Sequence, residues 1–484
     1  MELNLKKYHD EMVQELQKLV SYKTVLDTPV ENGPFGKGNK ECLEYVLSLC
    51  ARLGMKVKNL DGYCGYAEVG EGEEIFAIIS HLDVVPEGEG WEYPPYQATI
   101  VDQVMTGRGV WDDKGPAVVS IYTIKALMDA QFVFKKRVRL IFGCNEETGS
   151  LCVEHYLKKE GQITYGFTPD ADFPVIFGEK TINNITIEGK AQNKGNLTLQ
   201  SIDAGEAFNA VISKATFNIQ YGCQRCKQKL LDDLTIAFQN LHIEWHYNDQ
   251  SEEQVLQIVV IGKAAHGSLP MLGVNAASYG IYALSQTELD NSFVQWYAKY
   301  IGLEYDGKRL GCYATDQYGD IAVNVGIVKY QQGTYFVGIN CRLPFNITSQ
   351  EVVQAMKKTL QDENVTIQLP YDSKGFLIQE DSLMIQTMVK AYQQVTKDYT
   401  SKPKCIAGGT YARHFHNCVG FGASLPFSPE ENIHSANERL KLELMDIWLE
   451  IYVLAVQKLL TDVHFNYVSY THLRAHETRR HGVC

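Results

Sequence analysis

Apolar residues Met12, Val13, Leu16, Leu19 and Val20 recur at helical spacing with charged residues between them, which predicts an amphipathic helix near the start of the chain. Between residues 70 and 180 the texture changes. Short β-rich apolar runs, Ile75 to Ile79, Val138 to Phe142 and one around Phe167, alternate with helical stretches, the pattern of a layered α/β sheet. Each run ends in a polar cluster: SHLDVVP, CNEETGS and TPDADFP. In open α/β sheets ligands bind beyond the carboxyl ends of strands, so these three clusters are expected to converge.

From about residue 181 the pattern becomes alternating strands and loops with one helix-like stretch, and IAVNVGIVKYQQGTYFVGINCRL predicts two strands joined around Gln331 to Gly333. Near residue 375 the α/β texture returns. A helical stretch from Asp381 to Lys397 is followed by the glycine turn AGGTYARHF, a run from Val419 to Leu425, and NIHSANER opening a final helix. The expected organisation is therefore one domain inserted into another: residues 1–180 and 375–466 form the first, and 181–374 the second. Residues 467–484 lack apolar periodicity and read as an appended foreign tail, although His472, His476 and His481 imitate the spacing of a zinc site.

Composition narrows the function classes. The chain has 484 residues, 45% hydrophobic and 21% charged, which is a soluble globular protein with more than one core. A formal charge of −13 without clustered Lys and Arg argues against a nucleic-acid partner. No apolar run is long enough to cross a membrane and none resembles a signal peptide, so no membrane partner and a cytoplasmic location are expected. The 12 cysteines show no framework and are expected to be free thiols in a reducing compartment. Cys223 and Cys226 in YGCQRCKQ could be half of a zinc ribbon or a redox motif, but no second CxxC closes a four-ligand set and no strand-to-helix context is evident.

The chemistry concentrates elsewhere. His81 alone reads as a hydrogen-bonded core histidine; Asp83, two residues on, changes that, because a ligating imidazole usually passes its second N–H to a carboxylate. Asp112 and Asp113 in GRGVWDDKGP precede a helix and could cap it. Capping does not need two aspartates, whereas bridging two metals needs a carboxylate with two free oxygens. Glu146 and Glu147 place two like charges side by side after a strand, again more than a cap requires.

The series HLDVVPEGEGW, GRGVWDDKGP, NEETGS, TPDADFP, AAHGSLPMLGVNAA, GGTYAR and NIHSANE resembles the di-zinc metallopeptidase family of carboxypeptidase G, aminoacylase and carnosinase, and most resembles its bacterial dipeptidase V branch of cytosolic dipeptidases. The motifs occur in the family's order to about residue 460. The resemblance implies an α/β catalytic domain with a helix-flanked mixed sheet and an inserted α+β lid domain. It implies that His81 and Asp170 hold one Zn²⁺, Glu147 and His434 the other, and Asp112 bridges them, with Mn²⁺ or Co²⁺ as possible substitutes. Glu146 then matches the general base, Asp83 the catalytic carboxylate beside His81, and His266 the donor to the tetrahedral oxyanion. Arg342, which by itself reads as a surface charge, matches the arginine that holds the substrate carboxylate; Asn209, Gly408, Gly409 and Thr410 match further substrate contacts. After the paired glutamates, EETGSLCVEHYL departs from the dipeptidase pattern.

The implied activity is zinc-dependent hydrolysis of unblocked dipeptides, with β-alanyl dipeptides such as carnosine a candidate subset. One alternative keeps the same metal centre but removes the acyl group from acyl-amino acids or acyl-diamino acids. Another, of a different class, is a non-catalytic metal or thiol protein built on the CQRC pair and the histidine tail. A small peptide is the expected partner. A monomer is expected because, in the family the chain resembles, shorter inserted domains are the ones completed by dimerisation.

Overall fold

The computed structural model describes residues 4–428 and 431–462. The chain divides into two compact units. Among the described residues, 180–376 form the second unit, and 4–179 together with 377–462 form the first.

The first unit is built on a mixed sheet running Lys56–Leu60, Cys64–Val69, Arg137–Gly143, Ile75–His81, Tyr165–Thr168, Cys418–Gly420 and Ile176–Glu179. Its central strands Arg137–Gly143, Ile75–His81, Tyr165–Thr168 and Cys418–Gly420 are parallel, so their carboxyl ends share one edge. Every residue of Ile75–His81 is buried, as expected of a parallel strand covered on both faces. The helix Lys114–Asp129 is apolar on nearly all sides because it packs on Ile75–His81 beneath and on the helices His9–Val20 and Glu443–Asp462 beside it. At its start Trp111 meets Trp448 edge to face, with ring centroids 5.1 Å apart.

The second unit is an antiparallel sheet in the order Glu244–Gln250, Val255–Ile261, Lys214–Tyr221, Leu197–Ala204, Ala322–Gln331, Thr334–Leu343, Thr181–Lys190 and Val365–Ser373. In Lys214–Tyr221, buried Ala215, Phe217, Ile219 and Tyr221 alternate with more exposed neighbours, and the helices Gln224–Leu241 and Ala276–Leu284 share the core those residues enter. The strands Ala322–Gln331 and Thr334–Leu343 form a hairpin whose turn residues, Gln332 and Gly333, both have positive φ (48° and 80°). A two-residue turn of this kind matches the twist of its strands only in that conformation.

Several expectations need correction. The second unit contains four helices, Gln224–Leu241, Ala276–Leu284, Ser292–Tyr300 and Ser349–Thr359, rather than one helix-like stretch, because each buries only part of its surface and blends with the strand pattern around it. NIHSANER does not open the last helix: a short strand, Arg439–Lys441, pairs with Val104–Thr106 before the helix Glu443–Asp462 begins. The run Val419 to Leu425 is divided between two short strands, Cys418–Gly420 and Ala423–Ser424. Cys223 and Cys226 are not free thiols but a disulfide, with Cα atoms 5.3 Å apart. They sit where Lys214–Tyr221 passes into Gln224–Leu241, a strand-to-helix context hidden in the sequence pattern. The other described cysteines are thiols outside any disulfide, and all but Cys405 are buried. The tail with His472, His476 and His481 lies outside the described residues. Among the described residues no helix is long and apolar enough to cross a membrane.

Candidate metal centre

The parallel strands bring the acidic clusters to one place. His81 ends the strand Ile75–His81; Glu146 and Glu147 follow Arg137–Gly143; Asp170 follows Tyr165–Thr168. Asp112 arrives from the turn before the helix Lys114–Asp129, and His434 from a loop in which Asn432, His434 and Asn437 all have left-handed φ (54°, 59° and 61°). That backbone region suits asparagine and tolerates histidine better than most side chains.

Asp112 is the centre of the cluster. Its Oδ1 lies 2.9 Å from His81 Nε2 and its Oδ2 2.8 Å from His434 Nε2. Glu147 Oε1 is 3.0 Å from His434 Nε2, and Asp170 Oδ2 is 3.6 Å from His81 Nε2. Two groups of donor atoms lie within 4.8 Å of one another, His81 with Asp112 and Glu147, and His81 with Glu146 and Asp170.

The supporting hydrogen bonds explain the paired charges. The Glu146 and Glu147 backbone N–H groups donate to the two Asp83 carboxylate oxygens at 3.0 and 3.1 Å, which aims both glutamates from one clamp. With its carboxylate so occupied, Asp83 meets His81 Nδ1 through its backbone oxygen, at 3.0 Å, while the carboxylate stands off at 3.6 Å. The expected carboxylate partner of the ring is thus a carbonyl, which fixes the tautomer equally well. Asp113 occupies the cap position of Lys114–Asp129 without a capping bond from its side chain. Its carboxylate instead accepts the His81 backbone N–H at 3.1 Å.

The electrostatics are those of crowded, buried acids. Burial, and then the neighbouring Asp170, hold the Glu146 carboxyl well above the usual carboxylate range. Asp170 is pushed up to about 7 by burial and by Asp112. Hydrogen bonds from His434 and His81 overcome burial at Asp112 and hold it ionised well below the usual range. Hydrogen bonds to Asp112 and Glu147 raise His434 to about 11. Burial opposes charge on His81, yet Asp112, Asp170 and Asp83 together raise it well above an ordinary histidine. Imidazole and carboxylate are the donors that Zn²⁺, Mn²⁺ and Co²⁺ accept, and a carboxylate with one oxygen toward each histidine fits a bridging position.

Sequence reasoning missed Glu438. It is buried, and its carboxylate accepts from Arg108 Nη1 at 2.8 Å and from the backbone N–H groups of Gly109, Trp111 and Asp112 at 3.0, 2.9 and 3.2 Å. An acid in a polar loop looks solvent-exposed; its adjacency to the NIHSAN histidine was the available signal.

The remaining candidates sit in local frames of their own. The Gly408 and Gly409 turn is fixed by buried Glu179, which accepts from Thr410 Oγ1 at 2.6 Å and from Arg413 Nε at 2.9 Å. A Cβ on Gly409 would stand 2.8 Å from the Arg413 guanidinium, so a side chain here would displace the group that pairs with Glu179. In the second unit, exposed Asn209 and His266 are neighbours: Gly267 N–H donates to the Asn209 carbonyl at 2.7 Å, and His266 Nδ1 lies 2.6 Å from Ser268 Oγ. Arg342 is no surface charge: it is 4% exposed in the strand Thr334–Leu343, with Nε donating to Asn340 Oδ1 at 2.8 Å.

This arrangement of parallel-strand ends, paired acids and histidines could hold divalent metal ions. The profile of peptidase family M20/M25/M40 matches residues 77–458, and the chain belongs to that family of peptide-bond hydrolases. A Staphylococcus saprophyticus protein named "Putative dipeptidase" is 32% identical over 472 residues, covering 94% of this chain and 98% of the relative. Among solved structures, the dipeptidase Dug1p of Saccharomyces cerevisiae matches with a TM-score of 0.54 at 14% identity, covering 94% of this chain and 96% of that one. Human carnosine dipeptidase 1 matches with a TM-score of 0.53 at 14% identity, covering 94% and 97%. At such identities the two structures show a shared fold.

Proposed function

We propose that the protein is a dipeptidase acting on unblocked dipeptides with two divalent metal ions, zinc in the first instance. The observation that carries this reading is Asp112, whose two oxygens face two different histidines while Glu147 and Asp170 stand beside them. His81 and Asp170 would hold one ion, His434 and Glu147 the other, with Asp112 shared. The ions would supply Lewis acidity, lowering the pKa of water toward about 7 and polarising the scissile carbonyl. Glu146 stands among these side chains with its carboxyl raised by burial, and it takes the proton of the attacking water and returns it to the leaving amine. Asp83 acts by aiming Glu146 and Glu147 through their backbone N–H groups and by orienting His81 through its carbonyl.

The first unit is then the catalytic domain. Resemblance supports His266 as donor to the oxyanion, Arg342 as the holder of the substrate carboxylate, and Asn209, Gly408, Gly409 and Thr410 as further contacts. The name of the staphylococcal relative, "Putative dipeptidase", supports the substrate class. Purified protein, stripped with chelator and restored with Zn²⁺, Mn²⁺ or Co²⁺, should cleave free dipeptides, β-alanyl ones among them, far faster than tripeptides or N-acyl amino acids. Equal kcat/KM for an N-acyl amino acid and the matching dipeptide would replace this reading with a deacylase on the same centre.

A further inference from the structure

We propose that the buried pair Glu438 and Arg108 is a positioning device that sets the spacing between the Asp112 turn and the His434 loop, and so sets metal affinity without touching the metals. The inference rests on the metal centre proposed above and goes beyond its ligands.

Glu438 lies four residues after His434, on the same loop, and its carboxylate and carbonyl both bond the segment that ends in Asp112. Besides the four donors to its carboxylate, its backbone oxygen accepts from Gly107 N–H at 3.0 Å. Five bonds from one residue therefore run along residues 107–112. Arg108 carries the tie to a third segment: its Nη2 donates to the carbonyls of Pro86 and Glu87, each at 3.4 Å, and its guanidinium lies 5.2 Å from the Trp91 ring centroid. That segment follows directly on His81 and Asp83. Asn437, next to Glu438, bonds the same stretch, accepting Glu92 N–H at 2.7 Å and donating to the Gly90 carbonyl at 3.2 Å.

The three loops that bring His81, Asp112 and His434 together are thus joined by Glu438, Arg108 and Asn437, none of which is a proposed ligand. Loops are the least constrained parts of a fold, and a bridging carboxylate must hold two geometries at once. A buried carboxylate accepting three consecutive-turn N–H groups and an arginine is costly to assemble unless the turn it fixes must be fixed. Both partners are nearly inaccessible, Arg108 and Glu438 each 1% exposed, so the pair has no role at the surface.

The test uses the full chain and Zn²⁺ alone. Zn²⁺ dissociation constants would be measured by competition with a chromogenic chelator for the unchanged protein, Glu438→Gln, Arg108→Lys and Asp112→Ala, with circular dichroism of each in chelator. Glu438→Gln keeps the shape but turns an amide NH₂ toward N–H donors, and should weaken Zn²⁺ binding by roughly 10–100-fold. Excess Zn²⁺ should restore its kcat with KM for a dipeptide unchanged, which a general loss of packing would not allow. Zn²⁺ affinity within twofold of the unchanged protein in Glu438→Gln, while Asp112→Ala loses metal, overturns the inference and leaves the centre standing. If Asp112→Ala itself keeps full affinity, the proposed centre falls and the inference with it. Should Glu438→Gln fail to fold, Arg108→Lys decides: weakened Zn²⁺ binding supports the device, and unchanged binding overturns it.

Discussion

The candidate residues of the two units are held in opposite ways. In the first unit His81, Asp112, His434 and Glu147 form an unbroken chain at hydrogen-bond distances, so each is the neighbour of another candidate ligand. In the second unit Arg342 is braced by Asn340, and His266 by Ser268, residues with no proposed part in the reaction. In a cluster of contacting imidazoles and carboxylates each group sets the charge of its neighbours, so losing one member disturbs the rest. Side chains braced by neutral neighbours can be changed one at a time. Substitutions in the first unit should therefore act together and steeply, and those in the second singly and by degrees.

The steepest expected effect is Glu146→Gln, an isosteric change that cannot accept the proton. Turnover should fall by roughly 10²–10⁴ while Zn²⁺ stoichiometry, read by elemental analysis, stays at the unchanged value. Loss of zinc in this variant would make Glu146 a ligand and invert the division of labour with Glu147. Asp112→Ala should lower occupancy at both metal positions at once; metal titration showing one position intact would break the picture of a shared carboxylate.

Arg342→Lys probes the other side of the contrast. It keeps the charge but loses the planar fork, so KM for a free dipeptide should rise by roughly 10-fold with metal content untouched, and C-amidated dipeptides should be unaffected. A change in zinc stoichiometry here would show that the two sets of residues are not independent.

The smallest effect separates the metal cluster from the protein around it. Burial and then the nearby Arg413 charge lower His414 to about 4 from an ordinary 6.5. A histidine held neutral when folded takes up its proton more readily unfolded, so its contribution to stability is present above pH 6.5 and is lost as pH falls toward 4. In chelator, His414→Gln should lose less Tm between those pH values than the unchanged protein, by roughly 2–4 °C. Identical acid profiles would assign the acid sensitivity to other groups.

Legibility followed the kind of signal each residue sends. Ile75–His81 and Arg137–Gly143 were visible because parallel strands buried on both faces are continuous apolar runs, and the hairpin around Gly333 because alternation and turn chemistry coincide. Gln224–Leu241 was obscured, since a helix covering one face of a sheet carries as many polar as apolar positions. In the candidate site His81 was raised above a core histidine by Asp83 two residues on, and the Asp112–Asp113 and Glu146–Glu147 pairs stood out because two adjacent acids exceed what a helix cap requires. Glu438 did not, because its value lies wholly in partners some 330 residues away in sequence.

By itself the sequence determined which residue types end which strands, since alternation, apolar runs and turn residues act over a few positions and need no knowledge of the rest of the chain. It also determined the family, because several short motifs in one order are jointly specific. Tertiary structure alone decided who holds whom. Asp83 meets His81 through its carbonyl because its carboxylate is taken by Glu146 and Glu147, Arg342 is buried rather than exposed, and Cys223 is bonded to Cys226. Each of these depends on which of several acceptable partners arrives first within about 3 Å, and hydrogen bonds and charges fall off too steeply with distance and angle for residue order to choose between them.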